Sequence, residues 1–284
     1  MTDPLLTFDA DGAVSPERHA QIRRKLDEIA RAEGVRILLA VESGSRAWGF
    51  HSPDSDYDVR FLYARPVDDY LALQPMRDVI ERPIDADDLD VGGWDVSKAL
   101  KLVSRGNAVV SEWLSSPILY AEDPAFRPLF EPLARDWQQL HGDVAHYYGL
   151  ARRQWGSFIE GRAEVRLKKY FYVIRPAVTL HWLREDHLGT PPMNLPHLLQ
   201  DVRLPDATAQ ALADLQSRKQ AAGETVGVGA RIPAIDDYVR EQMTWGLSQK
   251  PREPRRDPAL WARTETVFRA LIGAASATTG RPGG

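Results

Sequence analysis

The stretch from Val35 to Tyr63 constrains the fold more than any other part of this chain. Val35 to Val41 (VRILLAV) is a short, branched, uninterrupted apolar run, the pattern of a strand buried on both faces. It predicts a sheet with packed layers on either side. After a loop from Glu42 to Ser55, Tyr57 to Tyr63 (YDVRFLY) alternates. Asp56, Asp58 and Arg60 fall on one face, and Tyr57, Val59 and Phe61 on the other. The second strand is therefore half polar and carries two carboxylates on one side.

Around this pair the first part of the chain reads as mixed. Ser15-Pro16, a capping residue followed by proline at the first helical position, opens a helix with Ile22, Leu26 and Ile29 inward, and Gly34 stops it. Arg77 to Glu81 and Asp88 to Trp94 predict two further strands, and Asp95 caps a helix running to about Ser104. From Phe126 onward the period turns helical. Asp143–Ile159, Val165–Leu183, Asp206–Ala222, Ala234–Leu247 and Trp261–Ala275 all carry apolar residues three and four apart. The expected fold class is α+β, with strands and helices over residues 1–120, a helical domain over 121–275 and a disordered tail over 276–284.

Composition narrows the chemistry. A net charge of -4 excludes a protein that coats polyanions over its whole surface. Charge is uneven, however: acidic residues outnumber basic ones between Val35 and Leu100, and the reverse holds between Leu150 and Glu185. The absence of cysteine removes disulfide frameworks, thiolate nucleophiles and iron–sulfur sites together. Neither a basic stretch leading into an apolar run near the N-terminus nor an apolar segment of membrane-spanning length occurs, so a cytoplasmic protein that engages no membrane is expected. Oligomeric state is not legible here.

The chemistry concentrates between Ser43 and Arg60. Gly44 and Ser45 follow a buried strand directly, where a small residue lets backbone N–H groups approach a ligand, and a helix beginning there would aim its positive end at phosphate. Asp56 and Asp58 are two apart on a strand, so they project on one side, roughly 6.5 Å apart along the backbone. Paired carboxylates of this kind suit hard divalent cations, and two Mg²⁺ ions, with Mn²⁺ as the alternative, need such bridging oxygens to steady a phosphoryl transfer. A third carboxylate from a neighbouring strand would complete the site, and Asp85, Asp87, Asp88 and Asp90 supply candidates. Asp88 and Asp90 share a face by parity; Asp90 lies deeper in the strand and is preferred, while Asp95 is better explained as a helix cap. An isolated Asp-x-Asp or glycine–serine pair is commonplace, and only their combination beside a further acidic strand has weight. Asp54 and Ser55 read as turn residues, and Arg60 as either an ion-pair partner of Asp58 or a phosphate contact. No Walker A, Rossmann, HExxH or G-x-S-x-G pattern competes.

Gly44-Ser45 followed by Asp56-x-Asp58 resembles the signature of the DNA polymerase beta-like nucleotidyltransferase superfamily. More narrowly, SGSRAWGFHSPDSDYDVRFLY, RDVIERPID, DLDVGGWDVSKALKL, SEWLSSPILY and VRLKKYFYVIRP are similar to the predicted nucleotidyltransferases of an RNA repair pathway, a likeness spanning roughly Val35 to Glu185. The resemblance implies a small mixed sheet with helices and an appended helical domain. It also implies Mg²⁺-dependent transfer of a nucleotidyl group from a nucleoside triphosphate. Carried over by residue, Gly44, Ser45 and Arg46 would hold the triphosphate, Asp56 and Asp58 the metal, and Asp90 would be the third ligand and the general base. Lys168 and Lys169 are the best matches for a basic residue presented to the triphosphate, and Tyr172 for a base-stacking ring. At helical spacing Lys168, Tyr172 and Arg175 would share one face, and Arg162, Arg166 and Lys169 another.

An RNA end, tRNA-like, is the expected acceptor, from the repair context and the basic region. A small molecule or protein acceptor is the first alternative. A non-catalytic nucleotide-binding module is a further one, against which the intact acidic pair argues.

Overall fold

Helix α2 (Pro16–Glu33) shows how locally the first boundaries are set. The Ser15 hydroxyl accepts the Arg18 N–H at its start, Pro16 occupies the first turn, and Gly34 closes it in the left-handed region at φ 64°. The computed structural model describes residues 8–84, 86–187, 189–222, 227–249 and 256–276. It resolves into two compact units: a sheet unit of Val14–Gly44, Asp56–Gln138 and Pro254–Gly284, and a helical unit of Met1–Ala13, Ser45–Ser55 and Gln139–Glu253.

In the sheet unit, β1 (Arg36–Glu42), β2 (Tyr57–Ala64), β3 (Val79–Arg82), β4 (Leu89–Asp95) and β5 (Leu119–Glu122) form one sheet in the order β3-β4-β2-β1-β5. It is mixed, because β2 and β4 run parallel while the other pairings are antiparallel. The connection from β2 to β4 includes α3 (Val67–Tyr70), and α4 (Val96–Val103) and α5 (Ala108–Leu114) follow β4. Asp95 caps α4 by accepting the Ser97 N–H at 2.8 Å, and Tyr70 donates to its other oxygen at 2.9 Å. The fold is α+β.

One face of this sheet changes character along the strands. Leu62 and Ala64 of β2, with Leu39 and Val41 of β1, join Val96, Leu100 and Val103 of α4 and Trp113 of α5 in a single core. That core also takes in Phe126, Phe130, Leu133 and Trp137 of α6 (Phe126–Trp137) and Leu260, Leu271 and Ile272 of α12 (Pro258–Ser276). Nearer the start of β2 and β4, alternate positions on those strands hold Asp58, Arg60 and Asp90 instead. The apolar end pins the sheet and leaves the charged end at its edge.

The helical unit contains α1 (Ala10–Ala13), α7 (Leu140–Phe158), α8 (Lys169–Arg184), α9 (Leu195–Asp201), α10 (Asp206–Ala222) and α11 (Pro233–Ser248). A two-stranded ribbon joins β6 (Glu164–Arg166) and β7 (Val228–Ala230). Helix α8 is buried along almost its whole length, from Tyr170 to Leu183, as befits a helix apolar on every side. It packs against α7, α9 and α11.

Three expectations need correction. The change of period near residue 120 is not where the units part: α6 and α12 carry their apolar faces back to the sheet, so periodicity names the element but not its partner. The helix expected from Val165 begins at Lys169, because Glu164–Arg166 pairs as a strand with Val228–Ala230. Arg162 and Arg166 therefore share no helical face with Lys169. No helix starts at Ser45; residues 45–49 are turns, with the Phe50 N–H returning to the Ser45 carbonyl at 3.1 Å. Of the expected disordered tail, 276–284, Ser276 ends α12 and the rest lies outside the described residues. None of the described helices is long and apolar enough to cross a membrane.

Candidate active site

The acidic centre is built by register. The parallel pairing of β2 with β4 sets Asp58 directly opposite Asp90, and Asp56 lies two residues before Asp58, just ahead of the strand. Asp88, the rival third carboxylate, sits in the turn before β4 with φ 57°, and Asp95 is at the far end, capping α4. Asp85 lies outside the described residues. Of Asp88, Asp90 and Asp95, Asp90 is the one that the strand pairing sets beside Asp58.

Two neighbours explain how Asp58 is held. Its backbone N–H donates to the buried carboxylate of Glu42 at 2.8 Å, and its carbonyl accepts the Ser43 N–H at 2.8 Å. Tyr120 donates its hydroxyl to the other Glu42 oxygen at 2.5 Å. Gly44, at φ 103°, lies so close over the Asp58 carboxylate that a β-carbon there would fall 1.9 Å from Oδ2. The glycine is required by this approach and by its backbone angle. Sequence reasoning passed over Glu42; the signal was a carboxylate ending an apolar strand, where a charge needs a structural reason to be buried.

Arg60 resolves its two readings in favour of the carboxylates. Its Nη2 lies 2.6 Å from Asp90 Oδ2 and 3.4 Å from Asp58 Oδ1, while Nη1 donates to the carbonyls of Asp90 and Val59. Burial pushes the Asp58 carboxyl up to about 6; Arg60 opposes the shift, and Asp56 and Asp90 add to it. Among the described residues no three His, Cys, Asp or Glu side chains converge tightly enough to hold a metal ion. The donor set is nevertheless all hard oxygen, and a guanidinium already stands as a cation between two of its members. Its chemistry fits a divalent cation. Beside it opens a cavity of about 530 Å³, bordered by Arg60, Asp90, Gly92, Trp94 and Trp113.

In the helical unit, Ser45 is buried and opens the loop Ser45–Ser55. Arg46, expected at a phosphate, is instead a fastening of that loop: it is 3% exposed, and its guanidinium donates to the carbonyls of Ala13, Pro53 and Ser55. Asn194 donates to the Ala47 carbonyl at 3.1 Å, and buried Lys219 donates to that of Phe50. Neither Asn194 nor Lys219 was visible from sequence, since each lies far along the chain from the loop. Burial, with Arg46 and Lys219 nearby, pushes His51 down to about 4, so its ring is neutral at pH 7. Lys168 is half-buried at the start of α8. Lys169 places Nζ 4.4 Å from the centre of the Tyr172 ring and 4.5 Å from that of Phe158. Tyr172 packs edge-on against Trp48, Phe50 and Phe158, while Arg175 is buried beneath Trp48 and donates to the Met193 carbonyl. Lys169 and Tyr172 are thus brought together, Lys168 stands at the N-cap of the same helix, and Arg175 is turned inward.

A mixed sheet with a glycine turn packed on one of two carboxylates at the start of a strand, and a third opposite it, marks a nucleotidyltransferase of the polymerase beta type. The model of the RNA repair pathway DNA polymerase beta family matches residues 18–270, and the chain belongs to that family. It is 40% identical over 225 residues to an uncharacterised protein, YcgL, of Bacillus subtilis (strain 168), covering 78% of this chain and 85% of that one. A nucleotidyltransferase-like protein of known structure from Exiguobacterium sibiricum 255-15 aligns over 91% of this chain and 90% of its own, with 9% identity and a TM-score of 0.31.

Proposed function

We propose that this protein transfers a nucleoside monophosphate from a nucleoside triphosphate to an acceptor hydroxyl, releasing pyrophosphate, and that the acceptor is an RNA end. The observation that carries the reading is the register of β2 and β4, which sets Asp58 opposite Asp90, with Asp56 two residues ahead of Asp58 and Gly44 against the Asp58 carboxylate. Asp56, Asp58 and Asp90 would hold Mg²⁺, two ions in the full site, with Mn²⁺ as substitute. When bound, the metal supplies charge neutralisation at the phosphorus and a more acidic acceptor hydroxyl.

The chain's own groups divide the remaining work. Glu42 fixes the backbone of Asp58, and Gly44 leaves room for its carboxylate. Arg60 orients Asp90, which accepts the proton of the acceptor hydroxyl as its oxygen bonds to the α-phosphorus and the bond to pyrophosphate breaks. Gly44 and Ser45 are the proposed backbone contacts to the triphosphate. Lys168 and Lys169 are proposed for its charge and Tyr172 for the base. The family's repair context and the basic stretch from Leu150 to Glu185 support RNA as acceptor.

Incubation with Mg²⁺ and each α-labelled nucleoside triphosphate, with and without tRNA-sized RNA, tests the proposal. Label is expected on RNA, and Asp56→Ala and Asp58→Ala are each expected to lower the rate at least about 100-fold with the circular dichroism spectrum unchanged. Full activity in both variants overturns the metal-site assignment. Label on protein or on a small molecule overturns the RNA acceptor and leaves nucleotidyl transfer standing.

A further inference from the structure

At the opposite end of the sheet from the carboxylates lies a second cavity, of about 570 Å³, within the size range of small-molecule sites. Arg65 follows the last residue of β2 and Asp95 ends β4, so the cavity begins about 20 Å along the strands from Asp58. Tyr70, Met76, Trp261 and Phe268 give it an apolar and aromatic wall, and Arg65, Lys101 and Arg77, the last paired with Glu81, its positive charge. Tyr70 and Phe268 meet edge to face at 5.2 Å.

Arg65 is the feature that calls for a ligand. It is 5% exposed and lies over the Tyr63 ring, its Nε has no hydrogen-bond partner, and among the described residues it forms no ion pair. A buried guanidinium with an unused donor is costly unless something anionic completes it. Three of the four acids at the cavity are already engaged: Asp95 caps α4 and accepts from Tyr70, Asp78 pairs with Lys98, and Glu265 pairs with Arg269, while Asp69 forms no ion pair among the described residues. Lys101, in the last turn of α4, is exposed and likewise forms no ion pair among the described residues.

We infer that this cavity is a second binding site, independent of the nucleotidyl-transfer reading, for a small amphipathic anion: a planar apolar body against Tyr70, Trp261 and Phe268, with one carboxylate or phosphate on Arg65 and Lys101. Asp69, Asp78 and Glu265 at its border disfavour a polyanion such as a nucleoside triphosphate.

The aromatic sulfonate 1-anilinonaphthalene-8-sulfonate serves as the probe, followed by fluorescence on the full chain. Saturable binding at one site per chain is expected, weakened about tenfold by Lys101→Met and by Arg65→Met, abolished by Ala72→Trp at the cavity wall and unchanged by Asp58→Asn. Lys101 and Ala72 are exposed, so those two variants keep the test decisive if Arg65→Met fails to fold. Displacement of the dye by benzoate identifies a carboxylate ligand and by phenyl phosphate a phosphate ligand. Displacement by neither, displacement by millimolar ATP, or equal dye binding in Lys101→Met and Ala72→Trp overturns the inference.

Discussion

The acidic centre turns on single atoms, and two predictions belong to that scale. A β-carbon at Gly44 would overlap Asp58 Oδ2 at a backbone angle that L-residues rarely adopt. Gly44→Ala is therefore expected to cost about 2–4 kcal/mol in urea unfolding. In an Asp58→Gly background, where the clashing group is gone, the cost should shrink to the part owed to the backbone angle; an equal cost in both backgrounds would assign all of it to that angle. The Asp58 carboxyl itself, raised to about 6 from 3.8, binds its proton more tightly folded than unfolded. Stability then falls as pH rises through that window, by about 2–3 kcal/mol from this group without metal. Asp58→Asn should melt several degrees above the parent at pH 7 and level with it near pH 4, as differential scanning calorimetry in EDTA would show. The aspartates and the glycine were legible from residue type and spacing alone. Glu42 was not, because its use depends on a backbone N–H supplied by another strand.

At the scale of elements, boundaries set by local chemistry agreed with the sequence and those set by pairing did not. Ser15, Pro16 and Gly34 delimit α2 through groups within a few residues, and Asp95 does the same for α4. The strand Glu164–Arg166 exists only because Val228–Ala230 lies beside it, and its apolar spacing alone reads as helix. Helix α12 shows the same limit from the other side: its period is plain, yet its place in the core with Leu62, Val96 and Trp137 is not. Trp137 donates to Thr264 at 2.9 Å there, and Leu271 is 1% exposed. Leu271→Ala is expected to cost about 2–4 kcal/mol by urea titration. A cost below about 1 kcal/mol would mean that α12 contributes little to the sheet unit.

For the whole molecule, the uneven charge matters more than its net value of -4. If RNA is held by the basic stretch from Leu150 to Glu185, affinity measured by filter binding should fall at least about tenfold between 50 and 200 mM salt. An affinity independent of salt would remove the electrostatic basis for an RNA acceptor. At this scale too the chain interleaves, since both units take segments from separate parts of the sequence. The sequence by itself determined the α+β class, the paired carboxylates with their glycine turn, and the family. Those rest on residue types at short spacings, which local geometry translates directly into strands, caps and faces. Only the tertiary structure decided that Asp90 stands opposite Asp58, that Arg60 lies between them and that Arg46 fastens a loop. It alone revealed a second cavity with Arg65 in its wall, because each of these depends on which distant strand or helix a segment meets.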